Sequence, residues 1–203
     1  PVSLLNAKQL NTGKLSKYNT IIVPDGFYGN LDSTDIKTLK DWVRNGGTLI
    51  ATQTGSRWVV NKKILNEKLK KGDTQTLDIP YDQVPMVTGA QRIGGAIFEV
   101  SLDNTHPIAY GYNKKTPMFR RGDTFFELST TAAANVGRYT KTPLLSGYIS
   151  EEKLKEIQNS ASIIARRQGG GHVILFADNP SFRAFWYGSN GLLLNAVFFG
   201  QAF

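Results

Sequence analysis

Thr20-Ile21-Ile22-Val23-Pro24-Asp25-Gly26, followed by Leu39-Lys40-Asp41-Trp42-Val43-Arg44-Asn45-Gly46-Gly47-Thr48-Leu49-Ile50-Ala51-Thr52, decides the fold. The first run is short, apolar and β-branched, and Pro24-Asp25-Gly26 ends it. It reads as a buried strand entering a loop. Asp32-Ser33-Thr34 then offers N-cap residues, whose side-chain oxygens satisfy the free N–H groups of a first helical turn. Ile36, Leu39, Trp42 and Val43 recur at helical spacing. Asp35 in the first turn and Arg44 in the last complement the helix dipole. Gly46-Gly47 stops the helix, and Thr48 to Thr52 reads as a second strand. Strand, helix, strand is a βαβ unit, which predicts parallel strands joined by a right-handed crossover.

Away from that unit the signals thin out. Pro1 to Leu5 is a candidate preceding strand, and Trp58 to Lys71 reads as a helix from Val60/Ile64 and Leu65/Leu69. Residues 72 to 95 scatter Pro, Gly and polar residues, and the span of about 72–130 is expected to be an insertion or irregular excursion. It carries a strand at Ala96 to Leu102 and a weaker one at Phe125 to Leu128. Ser150-Glu151-Glu152 caps a short helix through Ile157. Ser162 to Arg166 and His172 to Ala177 flank Gly169-Gly170-Gly171 and predict a hairpin, and Asn190 to Phe199 predicts an apolar helix. The expectation is a single α/β domain over 1–203. It has an open, mostly parallel, flavodoxin-like sheet, helices on both faces and a C-terminal β-hairpin.

Composition narrows the chemistry. A chain of 203 residues with 40% apolar and 20% charged residues is long and apolar enough to bury a core. No apolar run reaches the ~20 residues of a membrane span. Zero Cys excludes disulfides, thiolate ligands and a thiol nucleophile. The only histidines are His106 and His172, in no metal-binding spacing, so no metal and no cofactor are expected in this chain. Gly169-Gly170-Gly171 precedes a strand, not a helix, and so makes no phosphate cradle. The net charge is +8, with Lys62, Lys63, Lys68, Lys70 and Lys71 gathered on the helix predicted at 58–71. Without interleaved aromatics or a nucleic-acid motif, that face reads as solvated. A start at Pro1, with no Met and no signal-peptide pattern, reads as an end made by processing or excision.

In an open parallel sheet, ligands bind beyond the carboxyl ends of the strands. Three loops are expected there: Pro24 to Asn30, Gln53 to Trp58 and Asp178 to Trp186. They offer Asp25, Tyr28, Gln53, Arg57, Asp178, Asn179, Arg183 and Trp186 as ligand-binding candidates. Ser56 and Thr54, on a strand-to-helix turn, are the candidate nucleophiles, with Asp178 as a candidate acid–base group. The competing structural reading has Asp178 and Arg183 pinning loops and Phe185 and Trp186 in the core.

The run Tyr18 to Gly26 and the run Leu39 to Ala51 resemble the class I glutamine amidotransferase-like fold. In that family, the strand after Gly-Gly enters an elbow carrying the catalytic Cys, and a late strand ends in a catalytic His. Here the matching positions read Gln53-Thr54-Gly55-Ser56 and Asp178-Asn179-Pro180, with neither residue. Leu145 to Tyr148 and Gly171 to Gly188, above all Phe182-Arg183-Ala184-Phe185-Trp186, resemble the C-terminal region of bacterial zinc carboxypeptidase-like proteins. That resemblance implies an upstream metallopeptidase domain, holding the zinc, as this domain's partner in one chain, with the fold's first strand preceding Pro1. It further implies a secreted or periplasmic protein, a non-catalytic accessory role here, and a small ligand or peptide at the strand ends. The alternatives are an independent hydrolase using Ser56 or Thr54, and a sugar- or peptide-binding module built on Tyr28, Trp58, Arg183 and Trp186.

Overall fold

The computed structural model describes residues 2–10, 15–70 and 79–203. Within them, β1 (Thr20–Val23), β2 (Thr48–Thr52), β3 (Ala96–Leu102), β4 (Lys115–Arg120), β5 (Asn135–Gly147), β6 (Ala161–Gln168) and β7 (Gly171–Phe176) form one sheet, in the order β1-β2-β7-β6-β5-β3-β4. The helices are α1 (Ala7–Leu10), α2 (Ser33–Arg44), α3 (Thr54–Asn61), α4 (Val84–Ala90), α5 (Glu151–Ile157) and α6 (Asn190–Phe199).

The βαβ unit folds as its sequence dictates. The Asp32 carboxylate accepts from the N–H groups of Thr34 at 2.7 Å and Asp35 at 2.9 Å, while Asp35 accepts from the Asp32 N–H at 3.0 Å. This reciprocal cap fixes the start of α2. β1 and β2 pair in parallel, and β2 pairs in parallel with β7. Side chains on these strands alternate between two cores. Leu49, Ala51, Val173 and Leu175 pack with Leu39, Trp42 and Val43 of α2 and with Val59 and Val60 of α3. Ile50, Ile174 and Phe176 pack with Leu192 and Ala196 of α6 on the opposite face. The turn into β7 presses so closely on the end of α2 that a Cβ on Gly171 would lie 2.1 Å from the Val43 carbonyl oxygen.

The open α/β sheet with helices on both faces is present, but the sheet is mixed rather than mostly parallel. β6 returns antiparallel along β7 through the expected hairpin, and β5, β3 and β4 add antiparallel in turn. Residues 79–130 are therefore not all irregular, since they contribute β3 and β4 to the same sheet. The helix expected over 58–71 is α3, which starts earlier and stops at Asn61, where Lys63 adopts φ 53°. Ile64 and Leu65 then turn into the core, and Leu69 bridges Phe126. The lysines thus share no helical face: Lys70 Nζ donates to the carbonyls of Glu156 at 2.7 Å and Gln158 at 3.1 Å, capping the end of α5. Lys71 lies outside the described residues. Val2 to Leu5 form no strand, and Val2 and Leu4 stand in solvent. Phe125 to Leu128 reduces to single bridges from Phe126 to Leu69 and Ala161.

The antiparallel half curls. Four strand spacings separate β7 from β4, roughly 19 Å if the sheet were flat. Yet the Phe119 ring of β4 stacks on Phe182, beyond the end of β7, at 4.6 Å between centroids. Register shifts in the β3–β5 and β5–β6 pairings supply the bend. The end of β4 thereby comes to lie over the carboxyl ends of the parallel strands.

Candidate functional site

Gln53 joins β2 to α3 with φ 49° and ψ −118°. L-residues rarely occupy that region, and holding one there costs on the order of 1–3 kcal/mol. This is the sharp strand-to-helix turn that lifts a nucleophile above a sheet in hydrolases. Gly55 makes it possible, since a Cβ there would sit 2.4 Å from the Val23 carbonyl oxygen and 2.5 Å from that of Pro24. The residue at the apex is an amide. The Gln53 side chain is nearly buried, and its Nε2 donates to the Arg121 carbonyl at 3.0 Å.

Arg121 to Thr124 forms a strap that follows β4 across this turn. Arg57 Nη2 donates to the Asp123 carbonyl at 3.1 Å, and Arg120 Nη2 donates to the Thr124 carbonyl at 2.5 Å. Three strap carbonyls are thus fastened by three side chains. The position that would carry a nucleophile acts as one of the fasteners.

The candidate hydroxyls differ. Ser56 is fully buried and donates to the Phe176 carbonyl at 2.8 Å, which ties α3 to β7. Its hydroxyl faces backbone, not a substrate. Thr54 is exposed: its Oγ1 donates to the Asp25 carboxylate and accepts from the Gly26 N–H at 2.9 Å. Neither hydroxyl has a histidine. His172 pairs with Thr48 at the amino ends of the strands, and the rings of both His106 and His172 lie against Phe203, at 4.6 and 4.7 Å.

Asp178 is entirely buried. Arg120 Nη1 donates to it at 2.8 Å and to the Tyr139 hydroxyl at 2.8 Å, and that hydroxyl donates to the other carboxylate oxygen. Burial pushes the Asp178 carboxyl up, while Arg120 and Tyr139 pull it back. Burial pushes the Tyr139 phenol far above its usual range. Burial opposes the charge on Arg120, but Tyr139 and Asp178 hold its pKa above the ordinary value. The Arg120 guanidinium also lies 4.4 Å from the centroid of Phe125. Both carboxylate oxygens of Asp178 are engaged inside the protein, so it pins the end of β4 to the end of β7.

The remaining candidates fall on two rims. On the first, Tyr28 packs 5.2 Å from Trp58 and donates its hydroxyl to the Pro24 carbonyl at 2.5 Å. Burial, helped by Asp25, pushes that phenol up to about 12. Both rings line a groove of about 380 Å³ beside β1, shared with Ile22, Phe27 and Leu31. On the second rim, Asn179 accepts from the Ser181 N–H at 3.0 Å, and Arg183 and Ala184 take consecutive left-handed conformations at φ 50° and 53°. The exposed Arg183 lies 5.4 Å from the Phe182 ring. Phe185 is not in the core but 54% exposed, while Trp186 is half-buried 6.3 Å from Phe119. The strap lies between the rims. Asp25, Tyr28 and Thr54 are on one side, Arg183 and Trp186 are on the other, and Gln53, Arg57 and Asp178 are built into what closes the middle.

Arg120, Tyr139, Phe119 and the strap itself did not emerge from the sequence. The one available sign was phase: Thr116, Met118 and Arg120 alternate on the buried side of β4. Among the described residues, no cluster of His, Asp and Glu is arranged to hold a metal ion, and no helix is long and apolar enough to cross a membrane.

No protein-family model and no curated protein matches this chain. Solved structures do. A cytoplasmic protein from Salmonella typhimurium aligns over 98% of this chain and 76% of its own, with a TM-score of 0.51 and 12% identity. A ThuA-like protein from Bacteroides uniformis aligns over 96% of this chain and 74% of its own, with a TM-score of 0.52 and 10% identity. The fold is the class I glutamine amidotransferase-like one. In this version of it, the elbow is retained, Gln53 stands at its apex, and the strap crosses it.

Proposed function

We propose that this domain binds and supports rather than catalyses. It would serve as an accessory domain of a zinc carboxypeptidase-like protein and hold a small ligand or peptide on the rims of the sheet's carboxyl edge. One observation carries the non-catalytic reading: the elbow's apex is an amide, which is neither nucleophile nor base at neutral pH, and it fastens the strap over its own site. The zinc carboxypeptidase partner, and with it a secreted or periplasmic location, rests on the sequence resemblance around Phe182 to Trp186.

Two measurements test this. The chain should hydrolyse neither glutamine nor p-nitrophenyl esters above the buffer rate, and Thr54→Val should change nothing. In the complete natural protein, deleting 1–203 should lower thermal stability or raise KM for peptide substrates. Unchanged stability, KM and kcat after deletion would refute the accessory role.

A second reading has its own observation. The Thr54 hydroxyl is exposed at the start of α3 and donates to the Asp25 carboxylate, an arrangement open to a carboxylate-assisted hydrolase. Ester hydrolysis abolished by both Thr54→Val and Asp25→Asn would favour it over the accessory role.

A further inference from the structure

An α-helix on a protein surface normally turns charged or polar residues outward. α6 does the reverse. Its one central polar residue, Asn195, points inward and donates to the carbonyls of Ile108 at 3.0 Å and Tyr110 at 2.9 Å. Leu192 and Ala196 fill the core beneath. The outward row is Leu194 and Phe198, one turn apart, at 55% and 75% exposure. Phe199 and Tyr110 flank it, 6.2 Å apart and themselves about half exposed. Together these four side chains leave on the order of 400 Å² open to water, the size of patch that marks an interaction surface on a monomer.

Charge identifies the partner. Neither of the two segments that build the face, 106–112 and 184–203, contains an Asp, Glu, Lys or Arg, in a chain of net charge +8. A strongly cationic chain repels its own copies least across a surface without charge, where no like charges are brought into contact. The same surface offers an acidic or basic partner nothing to pair with. A row spaced by one helical turn also fits its own copy, because ridges of i, i+4 side chains interdigitate with identical ridges. Applied on both copies, the contact buries about 800 Å² from these side chains alone, and their surrounding rim brings it towards the ~1,200 Å² of a small specific interface.

We propose that the outward face of α6, centred on Leu194 and Phe198, is a two-fold interface through which two copies of this chain pair. The contact is isologous, so Phe198 of one copy meets the Leu194–Phe198 ridge of the other.

The absence of Cys makes the test clean. Sedimentation equilibrium of the chain between ~1 and ~100 µM should show a monomer–dimer equilibrium, and Phe198→Lys should weaken it at least about tenfold. At concentrations where the monomer dominates, its melting temperature should not move, because there the side chain is already largely in water. Phe198→Cys should form a disulfide-linked dimer under mild oxidation, whereas Lys37→Cys, on α2 across the sheet, should not. A wild-type chain that stays monomeric at the highest concentration overturns the proposal. So does a dimer that survives Phe198→Lys unchanged, which would place the contact on another surface.

Discussion

The two halves of the sheet are held by different means. In the parallel half, β1, β2 and β7 sit between α2 and α3 on one side and α6 on the other, and apolar side chains face both layers. Its buried polar contacts are local or go to backbone, such as the Asp32–Asp35 cap and the Ser56 hydroxyl on the Phe176 carbonyl, and its long-range side-chain pair, Thr54 with Asp25, lies in solvent. In the antiparallel half, β4 ends in a fully buried charge, and the tie that brings it home is the Arg120–Tyr139–Asp178 network. Apolar burial is tolerant, because each contact contributes a little. A buried ion pair is not, because losing one partner strands the other. The halves should therefore respond differently to small changes.

The largest effect is expected at the tie. Arg120→Met leaves the Asp178 carboxylate buried without its cation, and denaturant unfolding should show a loss of about 3–5 kcal/mol. The double variant Arg120→Met/Asp178→Leu should recover much of it, since an apolar pair of similar volume avoids desolvating charge. If the single variant costs less than about 1 kcal/mol, the tie is not what holds the antiparallel half. Next comes the parallel half at one of its crowded glycines. Gly55→Ala drives a methyl into the Val23 and Pro24 carbonyls, and an overpacking loss of about 1–3 kcal/mol should appear in thermal unfolding. Ser56→Ala should cost about 1 kcal/mol, the net worth of a buried hydrogen bond, with any catalytic readout unchanged.

The smallest effect is a pH dependence. Burial holds the His106 pKa below its ordinary 6.5, and its Nδ1 accepts from the Ile108 N–H at 3.3 Å, which requires the neutral ring. The unfolded chain then takes up the proton more readily than the folded one. His106 should favour folding above its ordinary pKa, and that contribution should fade as pH falls through 6.5. The ring is partly exposed, so the change should stay under about 1 kcal/mol. It should appear as a drop in Tm from neutral to acidic pH that His106→Gln reduces.

The same contrast explains what the sequence disclosed. The βαβ unit was legible because its signals are local: the Asp32 cap, the spacing of Leu39, Trp42 and Val43, and the Gly46-Gly47 stop. The hairpin around Gly169 and helices α5 and α6 followed for the same reason. β4 was not legible, because Pro117 argues against a strand and is tolerated only at the sheet's edge, where β4 lies. β5 hid behind Gly137, Pro143 and its bulges. At the candidate site, strand-end position places Gln53, Arg57 and Asp178 at the sheet's carboxyl edge. What each one holds did not follow, because the strap lies 68 residues from Gln53 and 66 from Arg57 along the chain.

That same separation sets an order of events. Arg120 and Asp178 are 58 residues apart, and neither can leave water before the other arrives. The Asp178 carboxylate at the end of β7 can be enclosed only together with its cation, and Arg120 reaches it only through the pairing of β5, β3 and β4. The salt bridge thus works as a timer: a chain in which it has closed has already formed the slow, long-range half of its topology.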